Sequence, residues 1–368
     1  MKIRLMLILS IFLSACSLTP SKRDPAESLS YEPVEGDSWW RVSTPADQGL
    51  DPKIVSKAYR EAGNIETISS LLIVKNGYLV AEKYFKGKEI DIPGNVASVT
   101  KSYLSALFGI AIAEGYITDL DQKMMDYFPE YAGPSLDPGK NQITVRQLLQ
   151  MRAGYPFDST GEYYAQLSSS GNFMRFVVEQ HPLLNPPGSE WNYSSASAHI
   201  LSGILTKAVG MPLANFAARY LYDPLNIRIR YWGKDPQGYY MGGAEMSYTS
   251  RDMAKFGYLY LNNGVFGDTQ VIPSEWIDES LRAYSETTYK NLKYFKHVEY
   301  GYLWWCAEVG EYKVNFAWGH GGQFIVIVPE LNMVVVSTAN PFLGDFSDKA
   351  WQLEKAIMEL IGRFISKN

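Results

Sequence analysis

A single Ser-x-x-Lys pattern, Ser98-Val99-Thr100-Lys101, is the feature of this sequence with the clearest chemical meaning. On a helix, side chains three residues apart lie on one face and within contact distance. A serine hydroxyl becomes a good nucleophile when a neighbouring base removes its proton. A lysine can be that base only when it is neutral, and burial lowers its pKa in the required direction. The alternative is a serine N-cap followed by a solvated lysine, which is common.

The predicted location of Ser98 favours the chemical interpretation. Residues 98–114 form the most helix-like stretch of the chain and are apolar on most sides, as expected of a buried central helix. Ser98 would stand at the start of this helix. Unpaired backbone N–H groups and the helix dipole favour a developing negative charge at that point.

A second candidate segment is Tyr193-Ser194-Ser195, which follows a rigid turn at Pro186-Pro187-Gly188. A tyrosine that faces a lysine ammonium has its phenolate favoured and can act as a general base. The alternative is that Tyr193 is one of many core tyrosines, because the chain contains 26 of them.

A third candidate segment is glycine-rich and includes His320-Gly321-Gly322, followed by Gln323. Glycines allow a backbone to approach a ligand closely. An exposed strand N–H after Gly322 could supply half of an oxyanion hole. The alternative is a glycine-rich turn between two strands.

Together these three segments resemble the motifs of the serine β-lactamase and penicillin-binding-protein superfamily, on its class C side. Within that group the chain is similar to 6-aminohexanoate-dimer hydrolases and β-lactamase-like esterases. Residues 98–101 match the family's Ser-x-x-Lys, residues 193–195 its Tyr-x-Asn, and residues 320–322 its Lys-Thr-Gly. Stretches 143–149, 242–244, 249–252 and 256–259 agree as well, and the resemblance covers roughly residues 40–365.

The resemblance implies a serine hydrolase that cleaves a small-molecule ester or amide through an acyl-enzyme and needs no cofactor. Ser98 would be the nucleophile, and Lys101 and Tyr193 the proton-transfer pair, with the base left open between them. The backbone N–H groups of Ser98 and Gln323 would hold the oxyanion. The residues implied to contact substrate are Ser195, His320, Gly321 and Gly322.

Departures from the family motifs narrow the expected substrate. Ser195 stands where the family has Asn, and a hydroxyl offers one donor where a carboxamide offers two. His320 and Gly321 replace the Lys and Thr that help β-lactam-cleaving members to hold the substrate carboxylate. These changes resemble the esterase and amide-hydrolase branches. The alternatives are a β-lactam-binding or sensor lipoprotein, or a weak β-lactamase or D,D-peptidase, on the same fold.

Other chemistries find little support in the sequence. There is no Gly-x-Ser-x-Gly elbow, and none of the four histidines lies in a His-Glu-x-x-His arrangement, so no metal site is expected. The formal net charge is −5 and no basic cluster points to nucleic acid. His199, on a predicted helix, and Cys306, in an apolar stretch, are expected to be packed side chains.

The N-terminal residues have the pattern of an exported lipoprotein. Lys2 and Arg4 precede an apolar run that is too short to span a bilayer and that ends in Leu13-Ser14-Ala15-Cys16, similar to a bacterial lipobox. We therefore expect a signal peptide at residues 1–15, a lipid on Cys16 and a flexible tether at residues 16–38. Ser17 resembles the default signal for outer-membrane sorting, so the expected location is the bacterial cell envelope. The oligomeric state is left open.

The order of predicted elements indicates the fold. Residues 50–63 favour a helix, and residues 69–74 and 78–84 form a hairpin about Asn76-Gly77. Helices are predicted at 143–151, 172–180, 197–209 and 348–365, and strands at 298–307, 311–317, 324–328 and 333–338. This order predicts an α/β (α+β) fold with an antiparallel sheet built from both chain ends and flanked by helices. The expected sheet domain is residues 39–114 plus 245–368, with an inserted helical domain at 115–244.

Overall fold

A computed structural model describes residues 30–33, 39–340 and 348–368. Cys16, the predicted signal peptide and most of the predicted tether lie outside these residues, so the lipid anchor stays a prediction.

The strands of the described residues are short and come from both parts of the chain. They are β1 (Arg41–Val42), β2 (Ile68–Lys75), β3 (Tyr78–Tyr84), β4 (Gly94–Asn95), β5 (Tyr231–Trp232), β6 (Met246–Tyr248), β7 (Val265–Phe266), β8 (Thr269–Gln270), β9 (Ser285–Glu286), β10 (Asn291–Leu292), β11 (Phe295–Tyr300), β12 (Trp305–Val309), β13 (Tyr312–Gly319), β14 (Gln323–Val328) and β15 (Met333–Ala339).

Ten of these strands form one large sheet in the order β1-β3-β2-β15-β14-β13-β12-β11-β10, with β9 also paired to β11. The β1–β3 pair is parallel and the other pairs are antiparallel. The sheet strands lie within residues 41–84 and 285–339. The predicted fold class, a mainly antiparallel sheet built from both chain ends, is therefore confirmed. The domain boundaries at 114/115 and 244/245 stay predictions.

Helices flank this sheet and fill the middle of the chain. They are α1 (Pro52–Gly63), α2 (Val99–Ala113), α3 (Met124–Tyr127), α4 (Val145–Leu149), α5 (Gly161–Ser169), α6 (Phe173–Arg175), α7 (Ser195–Val209), α8 (Leu213–Ala217), α9 (Ser250–Leu261), α10 (Ser274–Leu281) and α11 (Asp348–Ile365). Single π-helical turns, Phe176–Gln180 and Ala218–Tyr222, continue α6 and α8. Short 3-10 turns occur at Ala46–Gln48, Pro129–Tyr131, Pro138–Gln142 and Pro329–Leu331.

The predicted hairpin is present as β2 and β3. Its two turn residues, Asn76 and Gly77, have φ values of 53° and 79°. A two-residue turn with positive φ at both positions matches the twist of the strands that it joins, and Asn-Gly is the dipeptide that adopts it at lowest cost.

Helix α2 is the buried central helix that the sequence predicted. Ser98 is its N-cap and Glu114 its C-cap, and every residue from Val99 to Ala111 is buried. It contacts α7 on one side and strands β13 and β14 of the sheet on another. An apolar helix that is covered all round must lie between two layers, because exposing any side of it would cost hydrophobic free energy.

Several elements differ from the prediction, among them one broken strand and one added helix. The strand predicted at 298–307 is broken into β11 and β12 around Gly301 and Leu303, the latter with φ 61°. Helix α9 was not predicted as an element. Its Thr249 forms a capping box with Asp252, and its buried Arg251 makes a two-pronged ion pair with Glu82 of β3. Thr249 and Asp252 thus cap α9, and Arg251 fastens it to the sheet.

Among residues 30–33, 39–340 and 348–368, no single helix is long and apolar enough to cross a membrane. Helix α7 together with Leu213–Tyr222, bent by 77°, meets that criterion by length and composition alone.

Candidate active site

Ser98 is positioned by a strained turn at the start of α2. The residue before it, Ala97, has φ 48°, a left-handed value that few non-glycine residues adopt. Two contacts hold this turn: Ala97 N–H donates to the Asn95 side chain at 2.7 Å, and Val96 N–H donates to the carbonyl of Met246 at 3.0 Å. Backbone strain of this kind persists where neighbouring structure enforces it, commonly at functional sites.

Lys101 contacts Ser98 directly, as the Ser-x-x-Lys spacing predicted. Its Nζ lies 3.0 Å from the Ser98 Oγ and 2.7 Å from the carbonyl oxygen of Gly243. Lys101 is only 1% exposed. Burial lowers its pKa to about 7, although the nearby carboxylate of Asp158 acts in the opposite direction. A large fraction of Lys101 is therefore neutral at physiological pH and able to accept a proton.

Tyr193 completes the cluster from the loop before α7. The Lys101 Nζ lies 4.8 Å from the centre of its ring, and the Ser98 side chain is near enough to affect the pKa of Tyr193. The ring of Trp305 stacks on it with centroids 5.5 Å apart. Burial raises the pKa of Tyr193 well above its ordinary value, even though the Ser98 side chain acts to lower it. Tyr193 is thus a neutral phenol that can donate a proton.

Ser195 lies deeper in the same site and is held by a residue that the sequence analysis missed. The carboxylate of Asp158 accepts hydrogen bonds from the Ser195 N–H, from the Ala196 N–H at 3.1 Å and from the Ser194 hydroxyl at 2.7 Å. A carboxylate that caps the first N–H groups of a helix is strongly favoured there. Asp158 belongs to no recognisable motif, so nothing local in the sequence indicates this role.

The third motif forms the turn between β13 and β14, held by the C-terminal helix. Glu354 of α11 is buried and accepts hydrogen bonds from the Trp318 indole N–H at 2.5 Å and the Gly321 N–H at 2.6 Å. His320 Nδ1 lies 3.3 Å from the same carboxylate. Gly321 and Gly322 have φ values of 85° and 102°, which a side-chain-bearing residue would adopt only with strain.

Gly319 brings this turn against the nucleophile segment. A methyl group on Gly319 would lie 2.3 Å from the Val96 carbonyl oxygen and 3.3 Å from the Ala97 Cβ. Only a glycine therefore allows β13 to approach the strained turn so closely. This contact joins the third motif to the first.

Gln323, predicted to supply an oxyanion donor, is the first residue of β14 and pairs with Gly319. Its side chain donates to the Ala339 carbonyl at 2.6 Å and accepts from the Ala339 N–H at 3.2 Å. Gln323 is 1% exposed and is not among the described residues that line the cavity over Ser98. The predicted role of its backbone N–H at the oxyanion stays a prediction.

Two side chains set aside in the sequence analysis are packed in the structure. His199 is buried on α7, and its Nε2 lies 3.0 Å from the carboxylate of Asp235. Cys306 is buried on β12, where burial raises the pKa of its thiol to about 12. A thiol with so high a pKa is a poor nucleophile at neutral pH.

A cavity of about 760 Å³ opens over Ser98. Most of its wall is apolar or aromatic, and the predicted substrate contacts Ser195 and His320 lie on it together with Tyr193. Aromatic residues on the wall include Tyr163, Tyr164, Tyr289, Trp305, Trp318 and Trp351. A volume of this size is typical of a site for a small molecule. Among the described residues, no group of three or more metal-ligating side chains is found.

Comparison with known proteins agrees with this geometry. The Beta-lactamase family model matches residues 61–357, which include the nucleophile helix, Tyr193 and the third-motif turn. The chain belongs to the Beta-lactamase family. Within that family it is 26% identical over 289 residues to a 6-aminohexanoate-dimer hydrolase of Paenarthrobacter ureafaciens, covering 74% of this chain and 72% of that relative.

Solved structures show the same Beta-lactamase fold. A Bacillus anthracis protein provisionally named for the same dimer-hydrolase activity superposes with a TM-score of 0.67 at 23% identity, covering 84% of this chain and 82% of that one. EstCE1, a hydrolase with promiscuous acyltransferase activity, gives 0.65 at 19% identity, covering 83% and 97%. A D-stereospecific amidohydrolase from Streptomyces sp. gives 0.61 at 18% identity, covering 79% and 94%. Proteins of this fold thus include an amidohydrolase and a hydrolase with acyltransferase activity.

Proposed function

We propose that this protein is a serine hydrolase that cleaves an ester or amide through an acyl-enzyme on Ser98. The observation that carries the proposal is the contact of 3.0 Å between the Ser98 hydroxyl and the Nζ of a fully buried lysine whose pKa is lowered to about 7. A base with a pKa near the working pH is best suited to accept the serine proton.

The acylation step assigns a role to each member of the cluster. The Ser98 Oγ forms a bond to the substrate carbonyl carbon while its proton passes to Lys101. The bond to the leaving alcohol or amine then breaks, and the leaving group takes its proton through Tyr193, which receives one from Lys101. In the second half a water molecule passes a proton to the same pair and its oxygen bonds to the acyl carbon. The bond from that carbon to the Ser98 Oγ then breaks, the pair returns the proton to Oγ, and the acid is released.

Lys101 is the better candidate for the base, and Tyr193 for the group that relays the proton. Burial makes the neutral form of both side chains more favourable, which frees a lone pair on a lysine but keeps the proton on a tyrosine. The two groups lie in contact, so the protons would move through the pair rather than leave from either side chain alone.

The oxyanion would be held by backbone N–H groups from two motifs. The Ser98 N–H at the start of α2 is one donor, favoured by the helix dipole. For the second donor we assign the N–H of His320 in place of that of Gln323. His320 lines the cavity and follows Gly319, which packs against Val96.

The charge of the site disfavours β-lactams as preferred substrates. Those compounds carry a carboxylate, and the cavity places the buried Glu354 behind the turn that binds this group in β-lactam-cleaving relatives. An ester or linear amide is therefore the better match.

Ser98→Ala tests the proposal directly. The wild type should hydrolyse a p-nitrophenyl acyl ester and be labelled by a fluorophosphonate, and the variant should lose both, with turnover reduced at least about 10³-fold. Ser102→Ala is the matched control, because Ser102 lies one turn further along α2 and donates to the Leu303 carbonyl away from the cluster. Full residual turnover in Ser98→Ala would refute the assignment.

The rate at which a covalent label on Ser98 is lost distinguishes a hydrolase from a β-lactam-binding or sensor lipoprotein. With fluorescent penicillin, a label that persists on Ser98 favours the sensor alternative. A label that is lost within a turnover time favours the hydrolase.

The proposed location rests on residues 1–17 alone. We propose that Cys16 carries a lipid that anchors the protein in the cell envelope, since the preceding residues have the order of a lipobox. Metabolic labelling with palmitate should be lost in Cys16→Ala. Equal labelling of both proteins would contradict the anchor.

A further inference from the structure

One cavity residue, Glu245, has no role in the mechanism above. It lies on the cavity wall, between one residue that contacts the nucleophile helix and one that contacts the turn before it. Gly243, two residues before it, accepts the hydrogen bond from Lys101 at 2.7 Å, and Met246, the next residue, accepts the one from Val96 at 3.0 Å. The backbone of Glu245 is therefore fixed on both sides by residues that contact the segment carrying Ser98 and Lys101, and Glu245 itself lies on the cavity wall.

The conformation of Glu245 is strained and specifically accommodated. Its φ is 72°, a left-handed value that costs free energy for a residue with a side chain. Its carboxylate lies over Gly233, where a methyl group would come within 1.8 Å of Oε2. The Gly233 N–H also donates to the Glu245 carbonyl at 3.1 Å. Gly233 thus leaves the space that this carboxylate occupies.

The Glu245 carboxylate differs from the other carboxylate on the cavity wall. Glu354 accepts hydrogen bonds from Trp318 and Gly321. By contrast, no residue of the described ranges donates a hydrogen bond or forms an ion pair with the Glu245 carboxylate, which is only partly buried. The described wall also contains no lysine or arginine that could pair with it.

The surroundings of Glu245 suit a cation. Tyr164 lies on the same wall, and its pKa is raised first by burial and then by the charges of Asp158 and Glu245, although its contact with Ser195 lowers it. Tyrosine and tryptophan rings on the wall present faces that attract organic cations, in addition to the charge of a carboxylate. An anionic group would be repelled by the Glu245 carboxylate and would gain no attraction from the ring faces.

We propose that Glu245 is a specificity-determining residue that binds an ammonium group of the substrate, so that the preferred substrates are esters or amides bearing a cationic amine. This inference rests on the proposed function. The binding of an ammonium-bearing compound to the cavity can nevertheless be measured without turnover.

The test compares two amides that differ in one atom, 6-(trimethylammonio)hexanamide and 7,7-dimethyloctanamide, in which carbon replaces the cationic nitrogen. Binding to the Ser98→Ala protein is measured by calorimetry. We expect the cation to bind at least about tenfold more tightly than its neutral isostere. Adding Glu245→Gln to the Ser98→Ala protein should remove this preference. The control is Glu311→Gln, which changes an exposed glutamate in the turn between β12 and β13 and should leave the preference unchanged.

Gly233→Ala provides a second variant that keeps the carboxylate but fills its space, and it should lower the preference. Equal affinities in Ser98→Ala, no measurable binding of the cation, or a preference that persists after Glu245→Gln would each overturn the proposal. Fluorophosphonate labelling of Ser98 in the wild type and in Glu245→Gln reports the proposed function and the folding of the variant separately. Loss of the ammonium preference with normal labelling therefore cannot be mistaken for loss of the active site.

Discussion

The Nζ of Lys101 lies 2.7 Å from the carbonyl oxygen of Gly243, on a segment distant in sequence. This carbonyl and the Ser98 hydroxyl are both in hydrogen-bonding contact with the buried amine. A neutral lysine has one lone pair and two N–H groups, so it can donate to Gly243 while it accepts the serine proton. The Gly243 contact thus orients the amine without requiring it to be charged.

The first prediction concerns pH. Because Lys101 acts as a base only when neutral, and burial lowers its pKa to about 7, kcat/KM for a p-nitrophenyl ester should rise as the pH increases through about 7. Below that pH the protonated lysine cannot accept the serine proton, so activity falls. The measurement is a profile of kcat/KM from pH 5.5 to 9.

Two variants serve as controls for this profile. Lys101→Met should lose most activity and the rise near pH 7 with it, whereas Tyr193→Phe should lose activity but keep the rise. A wild-type profile that is flat between pH 6 and 8, or a rise that survives in Lys101→Met, would contradict the role of Lys101.

The second prediction concerns Asp158, which caps α7 with three hydrogen bonds. In Asp158→Asn one carboxylate oxygen becomes an NH₂ group that cannot accept, so a buried donor loses its partner and the free energy of unfolding should fall by about 1–3 kcal/mol. Loss of the negative charge should also lower the pKa of Lys101, since Asp158 raises it. The acid limb of the activity profile should therefore move to lower pH.

Urea denaturation and the same pH profile check both effects. Asp137→Asn is the matched control, because Asp137 also accepts from a backbone N–H, that of Gly139, but is exposed. Asp137→Asn should change the free energy of unfolding by no more than about 1 kcal/mol. The acid limb of its activity profile should stay at the wild-type pH. An acid limb that moves to higher pH in Asp158→Asn would refute the electrostatic link.

The third prediction concerns the contact between Gly319 and Val96. In Gly319→Ala the new methyl group must displace β13 or the strained turn before Ser98, so we expect a loss of about 1–3 kcal/mol in stability. We also expect fluorophosphonate labelling of Ser98 to slow about 10- to 100-fold, since small displacements in an active site have effects of this size.

Gly133→Ala is the control for this substitution, because a methyl group there meets no atom within 4 Å and the backbone has an ordinary φ. Thermal unfolding and labelling rates should match the wild type. Normal labelling by Gly319→Ala would show that the two motifs are not coupled through this contact.

Much of the nucleophile end of the site could be predicted from the sequence. Two of its features depend on residues close together in the chain and are present in the structure: the Ser98–Lys101 contact and the N-cap position of Ser98. The Asn76-Gly77 turn between β2 and β3 is a local feature of the same kind. Local geometry follows from helix periodicity and from the conformations that a few residues allow. The family motifs added Tyr193, whose ring centre lies 4.8 Å from the Lys101 Nζ, a distance that supports its predicted place in the pair.

The sequence by itself determined the family, the fold class and the pair of residues at the start of α2. The tertiary structure alone decided that Asp158 caps α7, that Glu354 holds the third-motif turn and that Glu245 faces the cavity with no described partner. These three carboxylates belong to no local pattern. Their roles depend on which donors, charges and solvent surround them, and that environment exists only after segments distant in sequence have packed together.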